Sequence, residues 1–425
     1  MTVSLISIAI LLVLLVLGAP MVAALLAAVA FNFVVGGQWS IMVPQTMVSG
    51  VSQFTLIALP LFVLAGVIMN AGGISGRLFD FARAIVGWMR GGLAQVNVLT
   101  SMFFGGMIGS STADLAGSGS IVIPAMKREG YSPEMSAAVS ASSSGIGPLI
   151  PPSSPMILYS AVTGTSLGAL FAAGLIPGLL LGLTFMLLIG FLALRRRWAR
   201  HGSFSAGEVL RTGRRALLAF GMPLIIIGGL VFGVFTPSEG GAFAVVYAIV
   251  LSTLIYRSLD LRGLYRAIVS ALMLTGELLI IVSLSFALGS SLSSAQVPQA
   301  LAGMIDVFTF GDSMLMRLMF LMLLAIIAGM FLDPLIPVLV PVILPTLLIY
   351  DVDLLHFGVL MVMAVVIGQL TPPLAIALII TARIAGTDQM RIFVANLPFF
   401  VAIILFTILI MVFPQIATWL PAQIR

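Results

Sequence analysis

The sequence predicts an all-α polytopic membrane protein built as an inverted repeat, with two re-entrant hairpins and two broken helices. Three observations predict this fold class. Of the 425 residues, 61% are hydrophobic and only 8% are charged, a composition that indicates many membrane spans. Clusters of Gly, Ser, Thr and Pro interrupt the apolar runs. The second half of the chain then repeats these interruptions in the same order as the first.

Composition also excludes several classes of protein. The chain has no Cys, so neither a disulfide framework nor a thiolate site is possible. Its longest polar stretch, about 195–215, leaves no room for a sizeable soluble domain. The net charge of +5 is better explained by cytoplasmic Arg than by nucleic-acid binding. Because no positive charge precedes the first apolar run, we expect no cleaved signal peptide.

The first repeat is predicted to cover 1–194. Residues 3–17 and 21–35 form either two short spans or one long kinked helix, and 51–70 form the next span. Residues 77–90 (RLFDFARAIVGWMR) place apolar and Arg side chains near helical spacing. This pattern is typical of an amphipathic helix that lies on the membrane surface.

A re-entrant hairpin is predicted over 91–126, because its two arms are too short to span and the Gly-Ser cluster at 109–117 lies between them. The next span, 134–159, is broken at 144–153, where Gly and Pro interrupt the helix. In hydrocarbon, unpaired backbone is tolerated only inside protein or beside a water-filled cavity. The two breaks therefore predict a solute site at mid-membrane depth.

An Arg-rich connector, 195–215, leads to the second predicted repeat, 216–425. This repeat again has a surface helix, a hairpin and a broken helix. Its predicted elements are spans at 216–235, 242–256 and 267–288, a charged loop at 257–266, a surface helix at 297–308, a hairpin at 313–349 with its tip at 329–334, a helix at 354–384 broken at 368–373, and a last span at 392–412.

The two halves match at nearly constant spacing. Gly147, Pro151 and Pro152 correspond to positions 368, 372 and 373, an offset of 221, and Asp114 corresponds to Asp333 at an offset of 219. When its hairpin is left out, each half is predicted to cross the membrane five times. Because five is an odd number, the second half starts on the opposite side of the membrane and is inverted relative to the first. Inverted repeats with paired helix breaks are typical of secondary transporters.

Charge predicts the orientation. The segments 77–90, 127–134, 195–215, 257–266 and 383–391 fall on one side and carry 17 of the 19 Lys and Arg residues. By the positive-inside rule that side is cytoplasmic. The first hairpin would then open to the cytoplasm, the second to the outside, and both termini would lie outside.

Three carboxylates lie within the predicted membrane region: Asp114 and Asp333 at the hairpin tips and Glu277 inside a span. Such groups are costly and are functional candidates, although Glu277 could instead pair with neighbouring backbone. No Lys, Arg or His is placed deep enough to pair with them, so Na+ or a proton would supply the positive charge. The C-terminal ends of broken helices offer carbonyls to a cation, and the N-terminal ends offer N–H groups to a carboxylate.

Six ordered motifs resemble the large membrane subunit of tripartite ATP-independent periplasmic (TRAP) transporters. They are FGGMIGSSTAD (104–114), IVIPAMKREGY (121–131), GPLIPPSSPMILY (147–159), TPSEGGAFAVVYA (236–248), HFGV (356–359) and IGQLTPP (367–373). The resemblance implies Na+-coupled import of a small organic acid, such as a C4-dicarboxylate or sialic acid, across a bacterial inner membrane by an elevator mechanism. It also implies two partners, a periplasmic binding protein and a small four-helix membrane subunit.

The resemblance also implies where ligands bind. One Na+ site would involve the first tip and first break, the other the second tip and second break, and substrate would lie between them. Ile108, Ala364 and Ala377 depart from the family pattern, standing where a Ser and two Asn are common. The implied cation-binding residues are Ser110, Ser111, Asp114, Ser143, Gly145, Gly147, Gly329, Asp333, Gly368 and Thr371, and the implied substrate-binding residues are Ser144, Ser153 and Thr371.

Other functions remain open from the residues. A stand-alone Na+- or H+-coupled anion transporter would share the same architecture and need no binding protein. A channel fits the composition, but paired opposed hairpins favour alternating access. Ser144 and His356 could imitate a protease, yet the topology gives no reason to expect contact, and HExxH is absent, so we expect no enzyme. The two His residues, His201 and His356, lack metal-ligating partners, so we expect no transition-metal site.

Overall fold

A computed structural model describes residues 2–36, 42–198, 203–231, 233–308 and 313–424. Over these residues the chain is helical and contains no strand, which confirms the all-α prediction. Six helices are long and apolar enough to cross a membrane, and several shorter apolar helices accompany them. His201 and Asp312 lie outside the described residues, as do parts of the connector.

The helices follow one another with short connections, and a π-helical or 3-10 turn marks several of the interruptions. In chain order they are α1 (Thr2–Val16), α2 (Met21–Val35), α3 (Met42–Val51), α4 (Ala58–Ala71), α5 (Ile74–Val86), α6 (Gly92–Ile108), α7 (Ser111–Asp114), α8 (Ser120–Arg128), α9 (Pro133–Ser144), α10 (Ser154–Thr163), α11 (Leu167–Arg195), α12 (Ala206–Val231), α13 (Pro237–Ile249), α14 (Leu261–Ser294), α15 (Val297–Phe308), α16 (Met314–Gly329), α17 (Leu335–Ile349), α18 (Leu354–Gln369), α19 (Ile376–Ala385), α20 (Gln389–Val412) and α21 (Gln415–Gln423).

The first apolar stretch folds as two helices rather than one kinked helix. Gly18 adopts a φ of 83°, a left-handed conformation that glycine reaches without strain. Pro20 follows and precedes the first residue of α2. The chain therefore reverses there, and α1 and α2 pack against each other.

Two helices begin inside segments whose charge predicted a connector and a loop, because side-chain caps start them there, and two other helices differ from the predicted bounds without such a cap. The connector predicted over 195–215 is helical from Ala206, where the Ser205 hydroxyl accepts from the Glu208 N–H. The charged loop predicted over 257–266 is helical from Leu261, capped by Asp260. The first surface helix begins at Ile74 and ends at Val86, earlier than predicted, and α21 was not predicted at all.

The long helix α14 forms one wall of the protein. It packs against α2, α3, α4 and α17. Among the hairpin and broken-helix elements, α9 packs against α6, α19 and α20, and α16 packs against α18, whereas α17 packs mainly against α14 and α10. The inner helices of this group are almost fully buried, and Phe104, Tyr159 and Phe357 are among its largest inaccessible side chains.

Polar contacts join α5 to the end of α8 and α15 to the end of α17. In the first half, Arg83 of α5 lies 3.6 Å from Glu129, just after α8. In the second half, the Tyr350 hydroxyl, just after α17, donates to Asp306 of α15 at 2.9 Å. Positions 129 and 350 differ by 221, the offset that relates the two halves. The second contact is extended by Arg317, whose guanidinium lies 3.7 Å from Asp306.

Candidate functional site

The first hairpin tip docks directly on the first helix break. Helix α6 ends at Gly109, whose φ of 59° is left-handed. A β-carbon at Gly109 would stand 1.7 Å from the Pro152 carbonyl oxygen, so no other residue fits without movement of the backbone. The Ser154 N–H donates to the Gly109 carbonyl at 3.3 Å, which fixes the start of α10 to the tip.

Glycines bring hairpin and broken helix into backbone contact in both halves. A β-carbon at Gly105 would lie 2.9 Å from the Cα of Gly147 in the first break. In the second half, a β-carbon at Gly368 would lie 2.5 Å from the Gly329 carbonyl oxygen. A third contact joins the breaks themselves, because a β-carbon at Gly145 would lie 2.4 Å from a methyl carbon of Val366. Four predicted site positions, 145, 147, 329 and 368, are therefore places of close packing.

One cavity of about 480 Å³ lies where these elements converge on α14. The first tip contributes Ser110, Ser111 and Thr112, and the second tip contributes Asp333. Other lining side chains come from both breaks and from α14. Among them are Pro148, Ser154, Pro155 and Leu158 from the first break, Val365 and Gln369 from the second, and Leu274, Glu277, Leu278 and Ile281 from α14.

The described residues that line this cavity include acidic but no basic side chains. Asp333 and Glu277 are the charged side chains on its wall, and none of the described lining residues is Lys, Arg or His. Glu277 lies near the middle of the 34-residue helix α14 and is exposed to the cavity. Gln369 stands next to Asp333. The sequence did not assign Gln369 a role, although its place inside the second break was a usable signal.

The first predicted cation site contains oxygen atoms that the protein leaves without partners. Asp114 is 2% exposed, and one carboxylate oxygen accepts from the Ser118 hydroxyl at 2.5 Å. Its other carboxylate oxygen, Oδ2, has no hydrogen-bond partner, and neither does the buried hydroxyl of Ser111. Ser110 bonds the Thr112 hydroxyl at 3.0 Å. Buried polar atoms are normally paired, so two unpartnered oxygens about one helical turn apart at one tip are suited to a cation that binds oxygen ligands.

A buried network of polar side chains joins α6, which leads to this tip, to α9, which leads to the first break. The Ser143 hydroxyl lies 3.2 Å from the Asn97 side-chain oxygen, and the Asn97 amide donates to Ser140 at 2.6 Å. Ser101 donates to Ser143 at 3.3 Å. Ser143 was predicted as a cation ligand, and in this structure its hydroxyl is engaged with α6. Asn97 was missed, although an Asn within the apolar run of the first hairpin arm was a visible signal.

The predicted substrate hydroxyls bond backbone instead. Ser144 donates to the Ala141 carbonyl at 2.8 Å, and Thr371 donates to the Ile367 carbonyl at 2.6 Å. Ser153 caps α10, accepting from the Met156 N–H and donating to the Pro148 carbonyl at 2.5 Å. Thr371 is also absent from the residues that line the cavity. Ligand binding by these three residues stays a prediction, and their observed bonds are those of helix ends.

The described residues contain no group of three His, Asp or Glu side chains that could hold a metal ion. The His356 ring bonds the Ile410 carbonyl at 3.0 Å, while Ser144 bonds its own helix. Each of the two residues that could imitate a protease thus has a separate partner.

The amino-acid sequence matches a known family of proteins. Residues 8–416 match the family model described as the tripartite ATP-independent periplasmic transporter, DctM component. The chain is 36% identical over 380 residues to a sialic acid TRAP transporter large permease protein of Vibrio cholerae, covering 89% of this chain and 88% of that protein. It is 35% identical over 371 residues to a C4-dicarboxylate large permease of Pseudomonas aeruginosa, covering 87% and 86%.

Two further proteins extend the comparison. An ectoine TRAP transporter large permease of Halomonas elongata is 34% identical over 413 residues, covering 96% of both chains. Among solved structures, the YdaH transporter of Alcanivorax borkumensis superposes with a TM-score of 0.59 at 14% identity, covering 86% of each chain. That second likeness concerns the fold alone.

Proposed function

The chain belongs to the DctM family of tripartite ATP-independent periplasmic transporters, and on that premise we propose that it imports a small carboxylate by coupling to Na+. It is a multi-pass membrane permease subunit. In the proposal, a periplasmic binding protein delivers the substrate and a small four-helix membrane subunit supports the chain. The membrane is the bacterial inner membrane, with the Arg-rich connector in the cytoplasm and both termini in the periplasm.

The observation that carries the proposal is the cavity that joins both hairpin tips, both helix breaks and α14. A solute site between two broken helices and a separate wall has the form that alternating access requires. Its position between paired breaks also agrees with the mid-membrane location expected from the repeat. Relatives of this chain carry sialic acid, C4-dicarboxylates and ectoine in their names, and each of these compounds bears a carboxylate.

Na+ coupling is supported by chemistry at the first tip. The Asp114 Oδ2 atom and the Ser111 hydroxyl are buried and have no protein partner. Na+ prefers oxygen ligands, as other hard cations do. In the second half the corresponding carboxylate, Asp333, faces the cavity beside Gln369. Two cation sites, one at each tip, would also neutralise carboxylates that have no basic neighbour on the cavity wall.

An elevator movement is supported by the glycine contacts. Because Gly105 touches Gly147 and Gly329 touches Gly368 through backbone atoms, neither hairpin can slide on its broken helix without collision. The hairpins and broken helices would therefore move together, past the wall that α14 forms. Substrate held between the tips and that wall would be carried with the moving part.

The test is uptake of labelled carboxylates into proteoliposomes that contain the chain, its small membrane partner and its binding protein. Uptake should require both a Na+ gradient and the binding protein. Asp333→Asn should abolish uptake while leaving the amount of folded protein unchanged, and Asp351→Asn, an exposed outer-loop change, is the matched control. Na+-driven uptake without any binding protein would instead identify a stand-alone transporter.

A further inference from the structure

We propose that the substrate carries a cationic nitrogen as well as a carboxylate, and that Glu277 is the residue that selects it. This inference rests on the proposed function and narrows its substrate class. Dicarboxylates and other purely anionic acids would be poor ligands. The class it favours is that of small zwitterions, such as amino acids whose two charged groups are a few bonds apart.

The first step is the position of Glu277. It lies at the centre of the 34-residue helix α14 and is exposed on the wall of the cavity that both tips also line. Among the described residues it has no hydrogen-bonding or ionic partner. A carboxylate at this depth is expensive, so it persists where it lines a water-filled path or meets a positive charge.

The second step is the charge balance of the cavity. Asp333 and Glu277 are both acidic, and the described lining supplies no basic side chain. A Na+ ion bound at the second tip would neutralise Asp333 but not Glu277, which belongs to α14. A dianion placed between them would meet Glu277 without compensation, and like charges in a desolvated site are unfavourable. An ammonium group facing Glu277 removes that conflict and forms a charge-assisted hydrogen bond.

The third step is the other end of the substrate. The Ser110 and Thr112 hydroxyls at the first tip lie on the same cavity wall and share one hydrogen bond of 3.0 Å. One of their two hydroxyl protons remains free to donate to a carboxylate, while Ser111 belongs to the proposed Na+ site. The cavity therefore has donors on the hairpin side and an acceptor on the α14 side. A zwitterion in the cavity can accept from the hydroxyl donors through its carboxylate and donate to Glu277 through its ammonium group. A purely anionic acid can accept from the hydroxyls but cannot donate to Glu277.

The experiment compares γ-aminobutyrate with succinate, two four-carbon acids of similar size that differ in one terminal group, CH2–NH3+ in the first and a carboxylate in the second. Binding to the purified full-length chain is measured by ligand-dependent thermal stabilisation, in NaCl and in KCl. We expect γ-aminobutyrate to bind more tightly than succinate in NaCl. Glu277→Gln should weaken γ-aminobutyrate about tenfold, as loss of one charge-assisted contact does, without weakening succinate. Glu208→Gln, an exposed change on α12, should alter neither.

Three results separate this inference from the proposed function. Succinate binding as tightly as γ-aminobutyrate, or an unchanged preference in Glu277→Gln, would overturn the inference while Na+-dependent stabilisation left the transporter assignment standing. A Glu277→Gln protein that lost its response to Na+ rather than its ammonium preference would make Glu277 a cation ligand and also overturn it. Binding of γ-aminobutyrate that was as tight in KCl as in NaCl, and still weakened by Glu277→Gln, would support the role of Glu277 and contradict the Na+ coupling.

Discussion

The carbonyl oxygen of Gly329 stands 2.5 Å from the point that a β-carbon on Gly368 would occupy. The second hairpin and the second broken helix therefore touch backbone to backbone. The first half repeats this arrangement at Gly105 and Gly147, where the corresponding distance is 2.9 Å. These contacts fix how closely each hairpin can lie on its break, and they set the shape of the cavity between them.

Gly368→Ala should destabilise the protein, because the obstructing atom belongs to backbone and cannot rotate away. We expect a loss of about 1–3 kcal/mol, the range for overpacking a filled interior. The thermal midpoint of the detergent-purified chain provides the measurement. Gly228→Ala is the control, since that helical glycine has nothing within 4 Å and alanine there should be neutral or stabilising. Equal midpoints for the two variants would show that the close contact is not rigid.

Ser111→Ala and Ser153→Ala should separate ligand binding from folding. The Ser111 hydroxyl has no protein partner, so its removal should leave the apo protein as stable as before but raise the Na+ concentration needed for half-maximal stabilisation. The Ser153 hydroxyl caps α10, so its removal should cost about 1 kcal/mol in any salt. Thermal midpoints across a Na+ titration distinguish the two patterns. A Ser111→Ala protein that was destabilised without Na+ would contradict this division.

Lys127→Gln should weaken the join between the two halves. The Lys127 ammonium donates to the Ala385 carbonyl at 2.6 Å, at the C-terminal end of α19 where positive charge is favourable. We expect a loss of about 1 kcal/mol, typical of a hydrogen bond to a charged group at a partly exposed site. The neighbouring Arg128 is exposed and makes no described contact, so Arg128→Gln should unfold at the wild-type temperature. A drop of the same size in both variants would point to general loss of positive charge.

Stability should fall in acid partly through Glu134. Its own backbone N–H, and then the Thr387 hydroxyl, donate to this carboxylate and hold its pKa below the ordinary value. Because the pKa is lowered in the folded state, the stabilisation is complete above the ordinary carboxyl pKa and is lost as the pH falls through the lowered one. Glu134→Gln should flatten the acid side of a plot of thermal midpoint against pH. Glu208→Gln should leave that slope unchanged.

The helix breaks could be predicted from sequence because they depend on backbone chemistry that Gly and Pro determine locally. The interruptions at 144–153 and 368–373 both occur, with α9 ending at Ser144 and α18 ending at Gln369. The repeat offset paired Asp114 with Asp333, and the structure places Asp114 at the end of α7 and Asp333 between α16 and α17. Helix starts were harder, because Ser205 and Asp260 cap helices inside segments whose charge indicates loop.

What the sequence could not supply was the direction of each side chain. Ser144, Ser153 and Thr371 lie where hydroxyls were expected to bind substrate, but each has a backbone partner close at hand. Conversely, Glu277 was singled out only as costly, since nothing local reveals that its helix lines the cavity that both tips also line. Such facts depend on tertiary packing between segments more than 100 residues apart, which helical periodicity does not encode.

The hydrogen bonds that join the first half of the chain to the second have a consequence for biosynthesis. Lys127, Glu134 and Ser142 find their partners at Ala385, Thr387 and Asn396, separations of 258, 253 and 254 residues. A ribosome must therefore add some 250 residues after these side chains are made before these three contacts can form. During that interval the Ser142 hydroxyl, which is buried in the folded protein, lacks its Asn396 partner, and the segment 385–396 completes the contacts of the first half.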